Sequence, residues 1–339
     1  MPDSPSPTMR AVLCTRYGSP DVLQIGEIPR PTVKDREVLI RVHAATATPG
    51  DCEMRSFKFP YWWLWIVLRL IIGIRKPRRP VLGMELAGEI LETGKLVTRY
   101  QPGQRVVAST GLRFGAYAEY ATLPETTPMA VIPPGVPYQQ AATLPVGGVN
   151  ALHFLRLGKV QPGASILING AGGVIGTYAV QIAKTMGGIV TGVDSADKLE
   201  AIKGLGATHL VDYQQEDIGQ LAPRYDVIFD VTGRMSYRSM LRLLKPEGRY
   251  VLANPRVRDM LRAPFTNLLG RRRVIFRFAA ERNEDLDYLL TQIKEGRLRP
   301  YIDRVFPLDH TAAAHRYVET GEKVGCVVIQ VMPDIEREG

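Results

Sequence analysis

At 339 residues, 45% hydrophobic and 23% charged, the chain has ordinary globular composition and length enough for two domains. Its net charge of +9 comes from 43 basic and 34 acidic residues, with no nucleic-acid-reading module and no single basic block, so small anionic ligands or an anionic surface account for it. Cys14, Cys52 and Cys326 lie far apart without a C-x-x-C pair, which excludes a disulfide framework and a four-cysteine zinc site and suits a reducing compartment.

Met1–Thr8 is rich in proline and serine, lacks an apolar core and reads as a loose leader. Arg10–Thr15, Leu23–Ile28 and Val38–Ala44 cluster or alternate apolar residues between Gly and Pro signals, predicting short strands. Ala45–Met54 reads as a loop leading into a short turn. Tyr61–Ile74 is an apolar run interrupted by Arg69, and a basic cluster of Arg75, Lys76, Arg78 and Arg79 follows. At about 1.5 Å per residue it spans roughly 21 Å, short of a bilayer core of about 30 Å. Leu82–Thr93, Gly103–Ala108 and Ala116–Leu123 predict further strands, so the chain is β-rich to about Pro128. Pro133–Leu157 has the texture of helix starts in close packing. Beyond Gln161, six short segments alternate with helical ones: Ser165–Asn169, Ile189–Val193, His209–Asp212, Val227–Val231, Gly248–Leu252 and Val274–Phe278. This alternation predicts an α/β domain with a doubly wound parallel sheet. Asn283–Glu295 then reads as an amphipathic helix, and Arg304–Pro307 and Gly325–Val331 as strands.

One stretch organises the whole. Ser165–Asn169 is a β-capable run, and Tyr178–Met186 places Ala179, Ile182, Ala183 and Met186 on one helical face. Between them Gly170, Gly173 and Gly176 fit G-x-x-G-x-x-G. The strict G-x-G-x-x-G fails, because Ile175 stands where its last glycine belongs. The next strand ends on Asp194, an acid about twenty residues on. Glycines here permit a tight turn, close approach to a pyrophosphate and close helix–strand packing, with the phosphate charge on the helix N-terminus. A bare glycine cluster would be a structural turn, but strand, helix and acid together make this a dinucleotide site. Gly170, Gly172, Gly173, Val174, Ile175 and Gly176 are expected at the pyrophosphate, and Asp194 with Ser195 at the adenosine ribose. Thr232-Gly233, Ala253-Asn254 and Phe276–Phe278 end later strands of the sheet, where ligands bind in this architecture, and each segment is expected to touch the cofactor. The bland alternative for each is a plain loop residue.

MRAVLCTRYGSPDVLQIGEIPRP, the turn Pro102-Gly103-Gln104-Arg105-Val106, INGAGGVIGTYAVQIAK, LGATHLVDY and YIDRVFPLDHTAAAHRYVETGEKVGCVVIQV occur together and in order. With them the chain resembles the medium-chain dehydrogenase/reductase superfamily, and within it the zinc-independent, quinone oxidoreductase-like branch, over nearly its whole length from Met9. The resemblance implies a Rossmann domain (129–278) inserted in a β-rich, GroES-like catalytic domain made from both chain ends (1–128 and 279–339), with an active site in the cleft between them. It also places Asn150 where relatives carry a threonine near the nicotinamide, and Lys198 and Tyr213 where NADPH-dependent members hold the 2′-phosphate. Asp194 favours NAD(H), since a carboxylate repels that phosphate. The cofactor is therefore expected to be NADP or NAD, with use of either.

Zinc members carry a cysteine where this chain has Thr48, Gly-His-Glu where it has Gly83-Met84-Glu85, and a third ligand near Val146; their cysteine-rich lobe is also missing from Val107–Tyr120. Thr, Met and Val cannot supply the thiolate and imidazole of a tetrahedral zinc site, so no metal is expected. Without a Lewis acid, hydride delivery to an already electrophilic acceptor is favoured over simple alcohol oxidation. The family brings Thr48 and Asp51 to the cofactor, and these are the expected catalytic residues, Thr48 as a cofactor contact too. Thr48 as a loop hydroxyl bonding its own backbone stands beside that reading at even weight. Glu85 reads as a buried structural carboxylate rather than a catalytic one. His43, His153, His209, His310 and His315 form no pair at ligand spacing.

The expected function is zinc-free, NAD(P)H-dependent reduction of a lipophilic quinone or α,β-unsaturated carbonyl. An alcohol dehydrogenase or enoyl reductase on the same fold, and a dinucleotide-binding scaffold without turnover, are the alternatives. A cytoplasmic homodimer is expected, pairing through the strand Val274–Phe278 as a sheet edge. Two apolar segments precede basic clusters: Tyr61–Ile74 before Arg75–Arg79, and Met260–Gly270 before Arg271–Arg273. The bland reading makes the first a cover over the cleft and the second a core or dimer helix. The sharper one turns both outward onto an anionic membrane surface, which Trp62, Trp63 and Trp65 suit, making the protein peripheral to a membrane.

Overall fold

The computed structural model describes residues 7–59, 65–222, 224–277, 279 and 282–333. The chain divides into two compact units, Met1–Pro145 with Arg282–Lys294 and Ile302–Gly339, and Val146–Glu281 with Glu295–Tyr301.

The first unit begins with an antiparallel pair, β1 (Thr8–Cys14) and β2 (Leu23–Pro29). Its main sheet is built on β3 (Glu37–Ala47), an almost continuous buried run. After β3 come α1 (Pro49–Ser56), α2 (Trp65–Ile72), β4 (Glu85–Thr93), β5 (Arg105–Ser109), β6 (Tyr120–Pro124), β7 (Met129–Val131) and α3 (Tyr138–Ala142). β4 pairs with β3 across a register shift opposite Gly88. A Cβ at Gly88 would lie 2.1 Å from the Arg41 carbonyl oxygen, so only glycine lets the two strands close.

The second unit holds α4 (Val149–Gly158), β8 (Ser165–Asn169), α5 (Val174–Thr185), β9 (Ile189–Asp194), α6 (Ala196–Gly204), β10 (His209–Asp212), β11 (Tyr225–Asp230), α7 (Tyr237–Leu243), β12 (Leu244–Leu252), α8 (Val257–Leu269) and β13 (Arg273–Ile275). Its parallel strands run in the order β10-β9-β8-β11-β12-β13. β8, β9 and β11 are buried almost throughout, as expected of parallel strands covered on both faces. This is the doubly wound order, with its switch point between β8 and β11. β13 ends the sheet, so its outer edge is unpaired among the described residues. Phe278 of the expected edge strand lies outside them, and β13 stops at Ile275.

The chain then returns to the first unit with α9 (Asn283–Lys294), β14 (Ile302–Pro307), α10 (Thr311–Thr320) and β15 (Cys326–Gln330). β15 pairs antiparallel with β3, Val327 opposite Ala47, so the sheet is closed by both ends of the sequence.

The unit boundaries differ from the expected 128/129 and 278/279. Met129–Val131 is a strand of the first sheet, Met129 opposite Ala108, and the Tyr138 ring stacks on His43 at 4.3 Å, which carries that unit on to Pro145. Glu295–Tyr301 belongs to the second unit, because the Gln181 amide bonds both the N–H and the carbonyl of Arg299. Pro60–Leu64, with Trp62 and Trp63, lies outside the described residues, as does the Trp65 side chain. No helix among the described residues is long and apolar enough to cross a membrane.

Gly88→Ala is expected to lower stability by about 2 kcal/mol or more, since one methyl must push a backbone carbonyl aside. The urea midpoint measures it; an unchanged midpoint would mean that the two strands part freely.

Candidate functional site

The turn after β8 is a cradle made by glycine. Gly170 takes φ +84°, in the left-handed region, and both its N–H and that of Ala171 bond the Val193 carbonyl of β9. A Cβ on Gly176 would lie 2.1 Å from the Gly170 carbonyl oxygen, so α5 can approach the turn this closely only with glycine there. Gly173 is the N-cap of α5 and no side chain caps that end. The N–H groups of Val174, Ile175 and Gly176 therefore begin a twelve-residue helix with its positive end at the turn, as anion binding requires.

The Asp194 carboxylate stands beside it at the end of β9. It accepts from the Gly172 N–H (2.8 Å) and the Ser195 N–H (3.0 Å), with the Lys198 ammonium 3.8 Å away. Lys198 is in the first turn of α6, and the Tyr213 N–H bonds the Asp194 carbonyl from the end of β10. The structure thus brings Asp194, Ser195, Lys198 and Tyr213 together with Gly172. It also shows what Asp194 is doing: it ties the glycine turn to the second strand, and a lysine offsets its charge.

Thr232, Gly233, Ala253 and Asn254 form a second cluster. Gly233 has φ +64°, and a Cβ there would meet the Asn254 carbonyl oxygen at 1.9 Å. The Asn254 amide donates to the Val231 carbonyl at 2.7 Å. Phe276 follows β13 and is half-buried. Asn150 is in the first turn of α4, its amide donating to the Val146 carbonyl at 2.8 Å.

The residue that holds these ends together escaped the sequence reading. Asp230, fully buried at the end of β11, accepts at Oδ1 from the Asn169 amide (2.8 Å), the Thr232 N–H and hydroxyl (both 3.1 Å) and the Gly233 N–H (2.9 Å). Its Oδ2 accepts from the Tyr250 hydroxyl of β12 at 3.0 Å. The available signal was that two apolar strands, SILIN and YDVIFD, both end on a polar residue.

In the first unit Thr48 and Asp51 form a closed pair at the start of α1. The Thr48 hydroxyl accepts from the Asp51 N–H (3.2 Å) and donates to Asp51 Oδ2 (2.6 Å), which also accepts the Thr48 N–H (2.9 Å). This capping box satisfies the helix end. Burial pushes the Asp51 carboxyl up to about 6, against hydrogen bonds from Thr48 that lower it. Met84 lies alongside: a Cβ on Gly50, between Thr48 and Asp51, would be 2.7 Å from the Met84 methyl and 3.5 Å from the Thr48 hydroxyl. Glu85 is buried and accepts the Thr46 hydroxyl. His315 is buried between the Tyr117 hydroxyl (3.1 Å) and the Cys52 sulfur (3.5 Å), and burial pushes it down to about 3, leaving a neutral imidazole. The three cysteines are free and buried, with burial pushing Cys14 up to about 11 and Cys52 and Cys326 up to about 12. A hydroxyl and a thioether at positions 48 and 84 do not fit a zinc site, and no group of three His, Cys, Asp or Glu among the described residues is placed to hold a metal.

Residues 34–134 match the alcohol dehydrogenase GroES-like domain family, 139–233 the C-terminal domain of alanine dehydrogenase/PNT, and 205–329 the zinc-binding dehydrogenase family. The chain is 32% identical to the chloroplastic NADPH-dependent alkenal/one oxidoreductase of Arabidopsis thaliana, over 96% of this chain and 80% of that protein. It is 30% identical to the 2-methylene-furan-3-one reductase of Solanum lycopersicum, with the same coverage. Among solved structures, the quinone oxidoreductase from Coxiella burnetii superposes with a TM-score of 0.84 at 28% identity, covering 96% of this chain and all of that one.

Two outcomes follow from this geometry. Asp194→Ser should raise the NADPH/NADH affinity ratio, because it removes repulsion of a 2′-phosphate and frees Lys198. The lost charge-assisted hydrogen bond should weaken NADH by about 1.5–3 kcal/mol. Fluorescence titration with both cofactors measures this, and an unchanged ratio would place the side chain away from the ribose. The second concerns Asp51. Its folded pKa of about 6 lies above the ordinary 3.8, so its contribution to stability is present below about 3.8 and lost as pH rises through about 6. Asp51→Asn, neutral throughout, should gain on the wild type by up to about 3 kcal/mol over that window. Urea midpoints taken across it that move in parallel would contradict the assignment.

Proposed function

The chain belongs to the medium-chain dehydrogenase/reductase superfamily, among its quinone and alkenal oxidoreductases, and from that premise we propose that it passes hydride from NADPH or NADH to a quinone or an α,β-unsaturated carbonyl without zinc. The observation that carries the zinc-free part is the side-chain chemistry at Thr48 and Met84. With no Lewis acid to polarise an unactivated carbonyl, the acceptor must bring its own electrophilic carbon.

Bound along the glycine turn, the dinucleotide supplies the hydride. The residues of this chain hold and orient it: Gly170, Gly172, Gly173, Val174, Ile175 and Gly176 at the pyrophosphate, Asp194, Ser195, Lys198 and Tyr213 at the adenosine ribose. Thr232, Gly233, Ala253, Asn254, Phe276 and Asn150 are assigned along the rest of the cofactor. Lys198 already offsets the Asp194 charge, which supports NADPH as the better cofactor, as does the name of the Arabidopsis relative. Thr48 is the donor we assign to the developing oxyanion. Its hydroxyl hydrogen rests on Asp51 and would turn to the substrate oxygen, while Asp51 holds the hydroxyl oxygen in place through its N–H. The unpaired edge of β13 supports a homodimer, and three buried thiols support a reducing, cytoplasmic setting.

Purified protein should oxidise NADPH when offered enones or quinones, contain well under one zinc per chain and keep its rate in chelator. Thr48→Val should cut kcat about a hundredfold. Stoichiometric zinc whose removal abolishes turnover would overturn the zinc-free reading. Tight NADPH binding with no turnover on any such acceptor would overturn the reductase reading.

A further inference from the structure

Helix α8 wears its apolar side chains on the outside. Val257, Leu261, Phe265, Leu268 and Leu269 recur at helical spacing and are 42%, 68%, 67%, 81% and 84% exposed. The buried face holds Asp259 and Ala263, and the half-buried Thr266 meets the Tyr237 hydroxyl at 2.8 Å. An amphipathic helix ordinarily turns its apolar stripe to the core. Here that surface is left in water, where it is unfavourable in proportion to its area.

The charge around the stripe says what would cover it. Residues 256–273 contain six arginines (256, 258, 262, 271, 272 and 273) and one acid, Asp259. That acid is buried, 3.9 Å from both the Arg258 and Arg262 guanidinium groups. Arg256, Arg272 and Arg273 rest on the carbonyls of Arg234, Leu244 and Asn267, which are neutral and leave the positive charge in place. A second copy on the α8 stripe, as distinct from one paired along the edge of β13, would bring the exposed Arg258 and Arg262 of each copy to the rim of one apolar seam, a juxtaposition of like charge that opposes association. An anionic lipid surface gains on both counts: acyl chains take the stripe, and headgroup phosphates take the arginines. The other unit repeats the chemistry in α2. Ile66, Val67, Leu70 and Ile71 are exposed there, and exposed Ile74, Arg75, Lys76, Arg78 and Arg79 follow.

We propose that α8 lies in the plane of an anionic membrane surface, with Val257, Leu261, Phe265, Leu268 and Leu269 at the acyl boundary and Arg258 and Arg262 at headgroup phosphates. The protein would then sit where lipophilic quinones and enones are concentrated. That consequence rests on the reductase reading, whereas the binding itself does not.

The test uses the full chain and sedimentation with two kinds of vesicle, phosphatidylcholine alone and phosphatidylcholine mixed three to one with phosphatidylserine. Binding is expected only to the mixed vesicles and should weaken with salt. The double variant Phe265→Ser with Leu268→Ser should lower the partition coefficient at least about tenfold. Arg258→Gln with Arg262→Gln should lower it several-fold and flatten the salt dependence. These positions are exposed, so the urea midpoint and the mass by light scattering should match wild type. No sedimentation with the mixed vesicles at low salt would overturn the proposal, as would both variants binding like wild type. So would a fall in mass of the Phe265/Leu268 variant below that of wild type, since a second copy would then be the cover. Because vesicle binding is read without turnover, its failure is distinguishable from failure of the reductase reading.

Discussion

A carboxylate removed from water is tolerable only if donors replace its hydration, and Asp230 receives five. Those donors come from the ends of β8 and β12 and from the chain just after β11. The ends of three neighbouring strands are thereby fixed with respect to each other at the switch point of the sheet. The glycine turn leaves β8 directly after Asn169, so its starting point is set by that amide's grip on Asp230. Gly233 and Asn254, which press together to within van der Waals distance, are set by the same carboxylate. The site inherits its order from a residue that need not touch a ligand.

Thr48 and Asp51 are arranged on a different principle. Their hydrogen bonds to each other close the N-terminus of α1, so their first duty is structural, and any chemistry borrows a hydroxyl already in use. The same economy holds at Asp194, where one carboxylate oxygen secures the glycine turn and the other faces Ser195 and Lys198. In both places an acid expected at a ligand also fastens backbone. Such fastening is compatible with ligand contact, because a carboxylate oxygen has two lone pairs.

How much of this the sequence discloses depends on the range of the interaction. The glycine turn was legible because its demands are steric and local: Gly170 must adopt positive φ, and Gly176 must leave room for the Gly170 carbonyl six residues back. The central parallel strands β8, β9 and β11 were legible because burial on both faces makes each a short apolar run. β7 was not, since three residues make too short a pattern and only pairing with β5 reveals them. Asp230 was not, because Asn169 and Tyr250 reach it through sheet order rather than through spacing. The apolar stripe of α8 is plain in the sequence, but a periodic pattern says which residues share a face and leaves open which way that face turns.

The closure of the first sheet by β15 has a bearing on how the molecule is made. The second unit is nearly continuous in sequence, and almost all its partners have emerged once α8 and β13 are synthesised. The central strand β3, among the first to leave the ribosome, finds β4 and β6 soon afterwards, yet its segment from Ala44 to Ala47 must wait for Val327 and its neighbours. Until then the edge from Ala44 to Ala47, small and apolar but for Thr46, is left unpaired, the kind that recruits strangers. The first sheet can therefore be completed only after the chain of the second unit has been synthesised, a pairing of long sequence separation.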